Sequence, residues 1–193
     1  MGAARGSAWV CYRARMSSSP FRRILVPIDF TEDMDNAVHS GFEVEVQGNS
    51  VAVAPASAKA LELAGGIIDD AGELCLVHAT PTYESARVYG GAAGTGVLGA
   101  AEIAEIHANA EAASIGVLDA LAERFAPGVA HTSIARPGNS LQVILDEATR
   151  FEAQLVVIAA SSRGRVARFF LGSTADRVIR ESPCPVMVVP PQH

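Results

Sequence analysis

Positive charge is in short supply in this chain: 15 Lys and Arg stand against 21 Asp and Glu, for a formal net charge of -6. That balance excludes a general nucleic-acid binder, which presents a basic surface, although Arg163, Arg165 and Arg168 form one local basic cluster. Cysteine is scarcer still. Cys11, Cys75 and Cys184 are odd in number, far apart and without CxxC or Cys/His spacing, which leaves neither a zinc site nor a disulfide framework. A reducing, cytoplasmic setting is the expectation. No apolar run approaches the ~18 residues that span a bilayer, so no membrane partner is expected. Aromatics are only 6% of the residues, and the core must be filled by other side chains.

What is present is 49% hydrophobic, dominated by Ala, Val, Ile and Leu, with 17 Gly. That mixture suits strands buried on both faces by helices, and 193 residues suit one domain. Met1 to Pro20 carries Arg5, Arg13 and Arg15 among small residues and no acid. It lacks the apolar segment of a secretion signal and is expected to be a disordered extension before a domain over 21–193. Met16, just ahead of Ser17-Ser18-Ser19-Pro20, is a second candidate start.

Arg23-Ile24-Leu25-Val26-Pro27-Ile28 reads as a buried strand ending in Asp29-Phe30-Thr31. A helix would usually follow, with Thr31 as its cap. Instead Phe42 to Val46 and Ser50 to Ala54 alternate in polarity around Gln47-Gly48-Asn49, the pattern of an inserted β-hairpin within about 34–54. A helix then runs over Ala56 to Ile68 behind Pro55. Leu74 to Ala79 is the second buried strand, and Thr80 to Gly99 reads as a loop. Ala100 to Phe125 is a long helix with apolar residues at helical spacing, closed by Pro127-Gly128. Val129 to Ala135 is a weaker strand. Asn139 or Ser140 caps a helix over Leu141 to Phe151. Leu155 to Ala160, a helix over Gly172 to Glu181, and Pro185 to Val189 complete the chain. Alternating strands and helices predict an α/β fold, a five-stranded parallel doubly wound sheet in the order 3-2-1-4-5 with helices on both faces. Ligands then bind outside the carboxyl ends of strands 1 and 4, where Asp29 and the segment after Ala160 fall.

Three blocks resemble the universal stress protein family: Ile24 to Thr31, Leu74 to His78, and Leu155 to Pro190. Arg168-Phe169-Phe170-Leu171-Gly172-Ser173-Thr174-Ala175-Asp176-Arg177 and Pro183-Cys184-Pro185-Val186-Met187-Val188-Val189 carry most of it. The resemblance covers about Phe21 to Pro190, apart from the insert. Nucleotide-binding members carry Gly-x2-Gly-x9-Gly-Ser/Thr after the fourth strand, because bare backbone lets a triphosphate approach the amides at a helix N-terminus. An ungapped match places Ala159 and Ser162 at the first two glycine positions, keeps the x9 spacing as Arg163 to Leu171, and retains Gly172 and Ser173. A shifted match keeps Gly164 as a glycine but needs a compensating deletion; parsimony favours the ungapped one. Where the family glycines take positive φ, Ala and Ser would cost ~1 kcal/mol or more, and the nearby arginines could offset lost amide contacts.

The resemblance implies ATP as ligand, with or without Mg2+. It places Pro27, Asp29 and Ala79 near base and ribose, and Ile158, Ala159, Ser162, Arg163, Gly164, Gly172, Ser173 and Thr174 along the phosphates. It also implies a homodimer paired through the last strand, with Val186 and Val188 as contacts, acting as a stress-response regulator. Each residue also has a plainer role open to it: Asp29 as a turn acid, Ser173 as a helix cap, the arginines as a solvated loop face. His78 reads as a structural residue of a buried strand. Gly90 to Gly96 lacks the Lys-Ser/Thr of a P-loop, and His107, His131 and Cys75 form no triad spacing. No Ser-Gly-Gly-x-Asp-Ser motif of adenylating enzymes occurs. No general base stands out, so hydrolysis is slow at most and a binding protein comes first. The competing expectation is a nucleotide-free interaction module whose hairpin binds an unknown protein partner; that hairpin could instead cover the nucleotide pocket.

Overall fold

Strands covered on both faces need apolar side chains at odd and even positions alike, and the five runs supply them. The computed structural model describes residues 19–30, 43–46, 48–82, 87–90, 94–97, 99–160 and 172–190. In chain order its elements are β1 (Arg23–Pro27), β2 (Glu43–Val46), β3 (Asn49–Ala52), α1 (Pro55–Ile67), β4 (Glu73–Thr80), β5 (Arg87–Gly90), β6 (Gly94–Val97), α2 (Ala100–Phe125), β7 (Ala130–Pro137), α3 (Ser140–Arg150), β8 (Leu155–Ala159), α4 (Ser173–Glu181) and β9 (Val186–Val189). The main sheet has the order β7-β4-β1-β8-β9, every neighbour parallel. Counted among these five strands, that is the expected 3-2-1-4-5.

The pleat sorts side chains into two cores. Ile24, Val26, Leu74, Leu76, Leu155 and Val157 join Leu61 of α1 and Leu118 and Leu121 of α2 on one face. Leu25, Cys75, Val77, Val156 and Ile158 meet Leu141 and Ile144 of α3 and Val178 of α4 on the other. Helices α1 and α2 approach closely because Gly65 has no side chain: a Cβ there would lie 2.9 Å from the Ala126 Cβ.

The insert is present as β2 and β3, an antiparallel hairpin with Val44 opposite Val51 and Val46 opposite Asn49. Gly48 takes φ 79 in its turn, a conformation that favours glycine. Its alternation has a direction. Val44 is 3% exposed within the first core, Val46 and Val51 pack against that core, and Glu45 is exposed. A Cβ on Gly116 of α2 would lie 3.4 Å from the Val46 Cγ1, so the hairpin lies against α2. Where the sequence reads as a loop from Thr80 to Gly99, the structure instead forms β5 and β6, paired as Arg87–Val97 to Gly90–Gly94. Val88, Tyr89, Thr95 and Val97 favour strands, but surrounding glycines mask the pattern.

Among the described residues one carboxylate is buried. Glu147 of α3 is 2% exposed and receives the Arg136 Nε at 2.6 Å and an Arg150 guanidinium nitrogen at 2.7 Å. This ties α3 to the edge strand β7. Both arginines remain half-exposed, which lowers the desolvation cost of the cluster. The fold predicts that the hairpin contributes to stability. Val44→Asp should lower the free energy of unfolding by about 2 kcal/mol or more, measured by urea denaturation. An unchanged midpoint would show that the hairpin adds nothing to the core.

Candidate functional site

The polar end of β1 lies where the two halves of the sheet diverge. Ile28 still donates its N–H to the Val77 carbonyl at 2.8 Å, and then the chain leaves the sheet at Asp29. On one side β4 continues to Thr80; on the other β8 ends at Ala159, with the Ala160 N–H bonded to the Val189 carbonyl at 2.8 Å. Between them opens a cleft of ≈ 490 Å³, within the ~300–1,000 Å³ of small-molecule sites. Asp29, Phe30, His78 and Ala79 line it beside β4, and Ala159, Gly172, Ser173 and Thr174 beside β8 and α4. The start of α1 adds Ala54, Ala56 and Ser57.

Two helix N-termini differ instructively. At α3 the Asn139 side chain accepts from the N–H groups of Leu141 at 3.1 Å and Gln142 at 3.4 Å, so that end is capped. At α4 the N-cap is Gly172, with φ 83 and no side-chain cap. The positive φ favours glycine, and the amides of the first turn keep their donor capacity toward the cleft. Asp176, an acid in that turn, is engaged by Arg180 at 3.0 Å. Ala159 is half-buried in the last position of β8. Its φ is not positive, since Glu152 is the only non-glycine with positive φ among the described residues. Ala159 therefore carries no left-handed strain.

His78 has a larger place here than its strand position suggested. Its Nδ1 lies 2.9 Å from the Ile28 carbonyl, and its ring stacks on Phe30 with centroids 3.9 Å apart and planes at 23°. Burial lowers its pKa below the ordinary 6.5, against smaller opposing effects of the Ile28 carbonyl and the Asp29 charge. The neutral imidazole therefore donates Nδ1–H to Ile28 and keeps Nε2 as an acceptor. Among the described lining residues Asp29 and His78 are the only ionisable ones. No group of three or more His, Cys, Asp or Glu among the described residues suits a metal ion.

Of the residues singled out in the sequence, Pro27, Asp29, Ala79, Ile158, Ala159, Gly172, Ser173 and Thr174 share this one cleft. Ser162, Arg163 and Gly164, with Arg165 and Arg168, lie outside the described residues. Sequence reasoning missed Phe30, Ser57 and His78 as lining residues; a signal for Phe30 existed in its position next to Asp29. Hairpin residues β2 and β3 are not among the lining.

A parallel sheet opened at its centre strand, with an uncapped helix end and a strand-end acid on one cleft, defines a doubly wound α/β protein with a crevice at its switch point. The family model described as the universal stress protein family matches residues 20–190, and the chain belongs to that family. Universal stress protein Rv2319c of Mycobacterium tuberculosis is 40% identical over 50 residues, 26% of this chain and 17% of that protein. A universal stress protein of Thermus aquaticus is 38% identical over 52 residues, 27% of this chain and 38% of that protein. These matches span well under two thirds of either relative. Among solved structures, hypothetical protein MJ0577 aligns with a TM-score of 0.60 at 17% identity, covering 90% of this chain and 98% of that one. A universal stress protein family protein from Arabidopsis thaliana with AMP bound aligns at 0.51 with 15% identity, covering 88% and 91%. These likenesses establish the fold.

The lowered His78 pKa sets a sign for stability. The unfolded chain binds a proton at the ordinary value, 6.5, before the folded one does, so folding weakens as pH falls below that value. Melting temperatures on either side of it should drop more in the native protein than in His78→Phe, which keeps an aromatic ring. Equal drops would overturn the assignment.

Proposed function

We propose that this protein binds an adenine nucleotide, ATP in particular, in the cleft at the ends of β1, β4 and β8. The observation that carries this reading is the uncapped α4 N-terminus at Gly172-Ser173 opening onto the same cleft as Asp29 and Ala79. Backbone amides and the helix dipole at that end suit phosphate oxygens. Strand β1 separates β4 from β8, so base and phosphates have opposite sides of the cleft to occupy. The AMP-bound Arabidopsis relative supports an adenine nucleotide as the ligand class. Mg2+ would enter with the nucleotide, since the described residues offer no carboxylate cluster for it. Nucleotide occupancy would serve as a regulatory signal in the stress response, with residues 21–193 acting as one cytoplasmic domain.

A homodimer through β9 belongs to the same reading. Among the described residues β9 is an edge strand, paired with β8 alone, and an edge of this kind calls for covering. Val186 and Val188 pack against the second core of their own subunit, whereas Met187 is 38% exposed. Pairing would thus use the β9 backbone edge and Met187.

Titration calorimetry with Mg-ATP should show saturable binding. Gly172→Val, which forces a β-branched residue into positive φ, should weaken ATP tenfold or more and adenosine far less. No binding of ATP up to millimolar concentration would overturn the reading. Sedimentation of the native protein should give a dimer that Met187→Lys dissociates; a native monomer removes the dimer.

A further inference from the structure

The two edges of the main sheet are built differently. Strand β9 has four residues, whereas β7, at the other edge, keeps an unbroken register with β4 over all eight of its own, from Ala130 opposite Glu73 to Pro137 opposite Thr80. Edge strands are ordinarily blunted by shortness, a bulge, lysine or proline. β7 is long, unbulged and without lysine, and its proline stands only in the last position. Among the described residues it pairs with β4 alone. Helix α2 packs against one face of the strand. On the other face Ile134 joins the second core, but Ala130, Thr132 and Arg136 are exposed.

Charge along that face is unbalanced. Arg136 and Arg150 both reach the same Glu147 oxygen, Oε1, at 2.6 and 2.7 Å. Neither has a second acidic partner among the described residues, so two cations against one anion leave a surplus positive charge at the strand's carboxyl end. Near the other end Thr132 donates to the Glu73 carboxylate, which makes that end unfavourable for an acid.

We propose that β7 is a docking edge for an extended segment of a partner protein, which adds to the sheet as a further strand and sets an acidic side chain against Arg136 and Arg150. Main-chain hydrogen bonds supply the affinity, and the surplus charge selects the partner and sets its register. A second copy of this chain fits less well. β7 contains no Asp or Glu, so two β7 strands paired about a two-fold axis set no carboxylate of the facing strand on the arginines. None of Ala130, Thr132, Ile134, Arg136 and Arg150 lines the cleft, and the proposal is independent of nucleotide binding.

The test uses a rhodamine-labelled peptide of alternating Val and Thr, as long as β7, blocked at both termini and carrying a pair of Glu at one end. Fluorescence anisotropy should show saturable binding, about tenfold tighter than for the same peptide with Gln in place of Glu, and the advantage should shrink as salt is raised. At saturation, amide hydrogen exchange should slow along β7 and not along β9. Arg150→Gln leaves Arg136 to hold Glu147 and removes the surplus charge, so the Glu and Gln peptides should then bind alike. The Glu peptide N-methylated throughout keeps its carboxylates, lacks strand donors and should not bind. Equal affinity of the native protein for the Glu and Gln peptides overturns the proposal, a result that needs no variant to fold. So does binding of the N-methylated peptide, protection elsewhere than β7, or no binding of the Glu peptide up to millimolar concentration. Exchange along β7 that slows with protein concentration alone overturns it in favour of a second copy as the occupant.

Discussion

The double burial of β1 is the constraint on which the rest of this structure depends. Ile24, Leu25 and Val26 are each 0% exposed, with Leu25 in one core and its neighbours in the other. β1 is also paired on both edges, with β4 and with β8. A strand so enclosed has no place for a polar side chain until it leaves the sheet, and it leaves at Asp29. The helices that follow its two neighbours, α2 after β4 and α4 after β8, pack on opposite faces of the sheet, which opens the crevice at that point. The location of the cleft is therefore a consequence of burying one short run of residues.

The insertion respects this constraint. A hairpin placed directly after β1 sits at the entrance to the ligand crevice and threatens to fill it. Instead Val44, Val46 and Val51 turn onto the first core beside α2, and Phe30 and Val53 meet in an antiparallel bridge. That bridge closes the excursion at its base, so α1 starts near where the chain left. The first turn of α1 thereby reaches the cleft with Ala56 and Ser57. Phe30 gains a second role, since the same residue stacks on His78.

Legibility followed range in sequence. The five strands, their order and the hairpin at Gly48 were readable because periodicity, β-branched runs and turn residues are local signals. Asn139 as the α3 cap was one of two local candidates. The β5–β6 pairing was hidden because glycines at Gly90, Gly94 and Gly96 look like loop punctuation whichever way the backbone runs. The contacts of His78, read as a structural residue of its strand, were hidden for a different reason. Its strand is buried, but its environment is made by Ile28 and Phe30 of β1's end, residues that no spacing rule connects to it. That Ala159 carries no left-handed strain depended on φ, which only the fold supplies.

Charge among the described residues is kept largely out of the cleft. The fully buried carboxylate, Glu147, faces two arginines at the α3–β7 contact and is not among the residues lining the cleft. It also helps push the Cys75 thiol up to about 12, behind the larger effect of burial, so that thiol stays protonated and unreactive. Within the cleft, the described polar groups are backbone amides, hydroxyls, one carboxylate and one neutral imidazole. Amides and a helix dipole are directed donors suited to an anion, and no cation stands beside them among the described lining residues. On the other side stands the neutral His78 imidazole, held by the Ile28 carbonyl and the Phe30 ring. Directional groups of this kind suit discrimination by hydrogen-bond pattern more than by net charge.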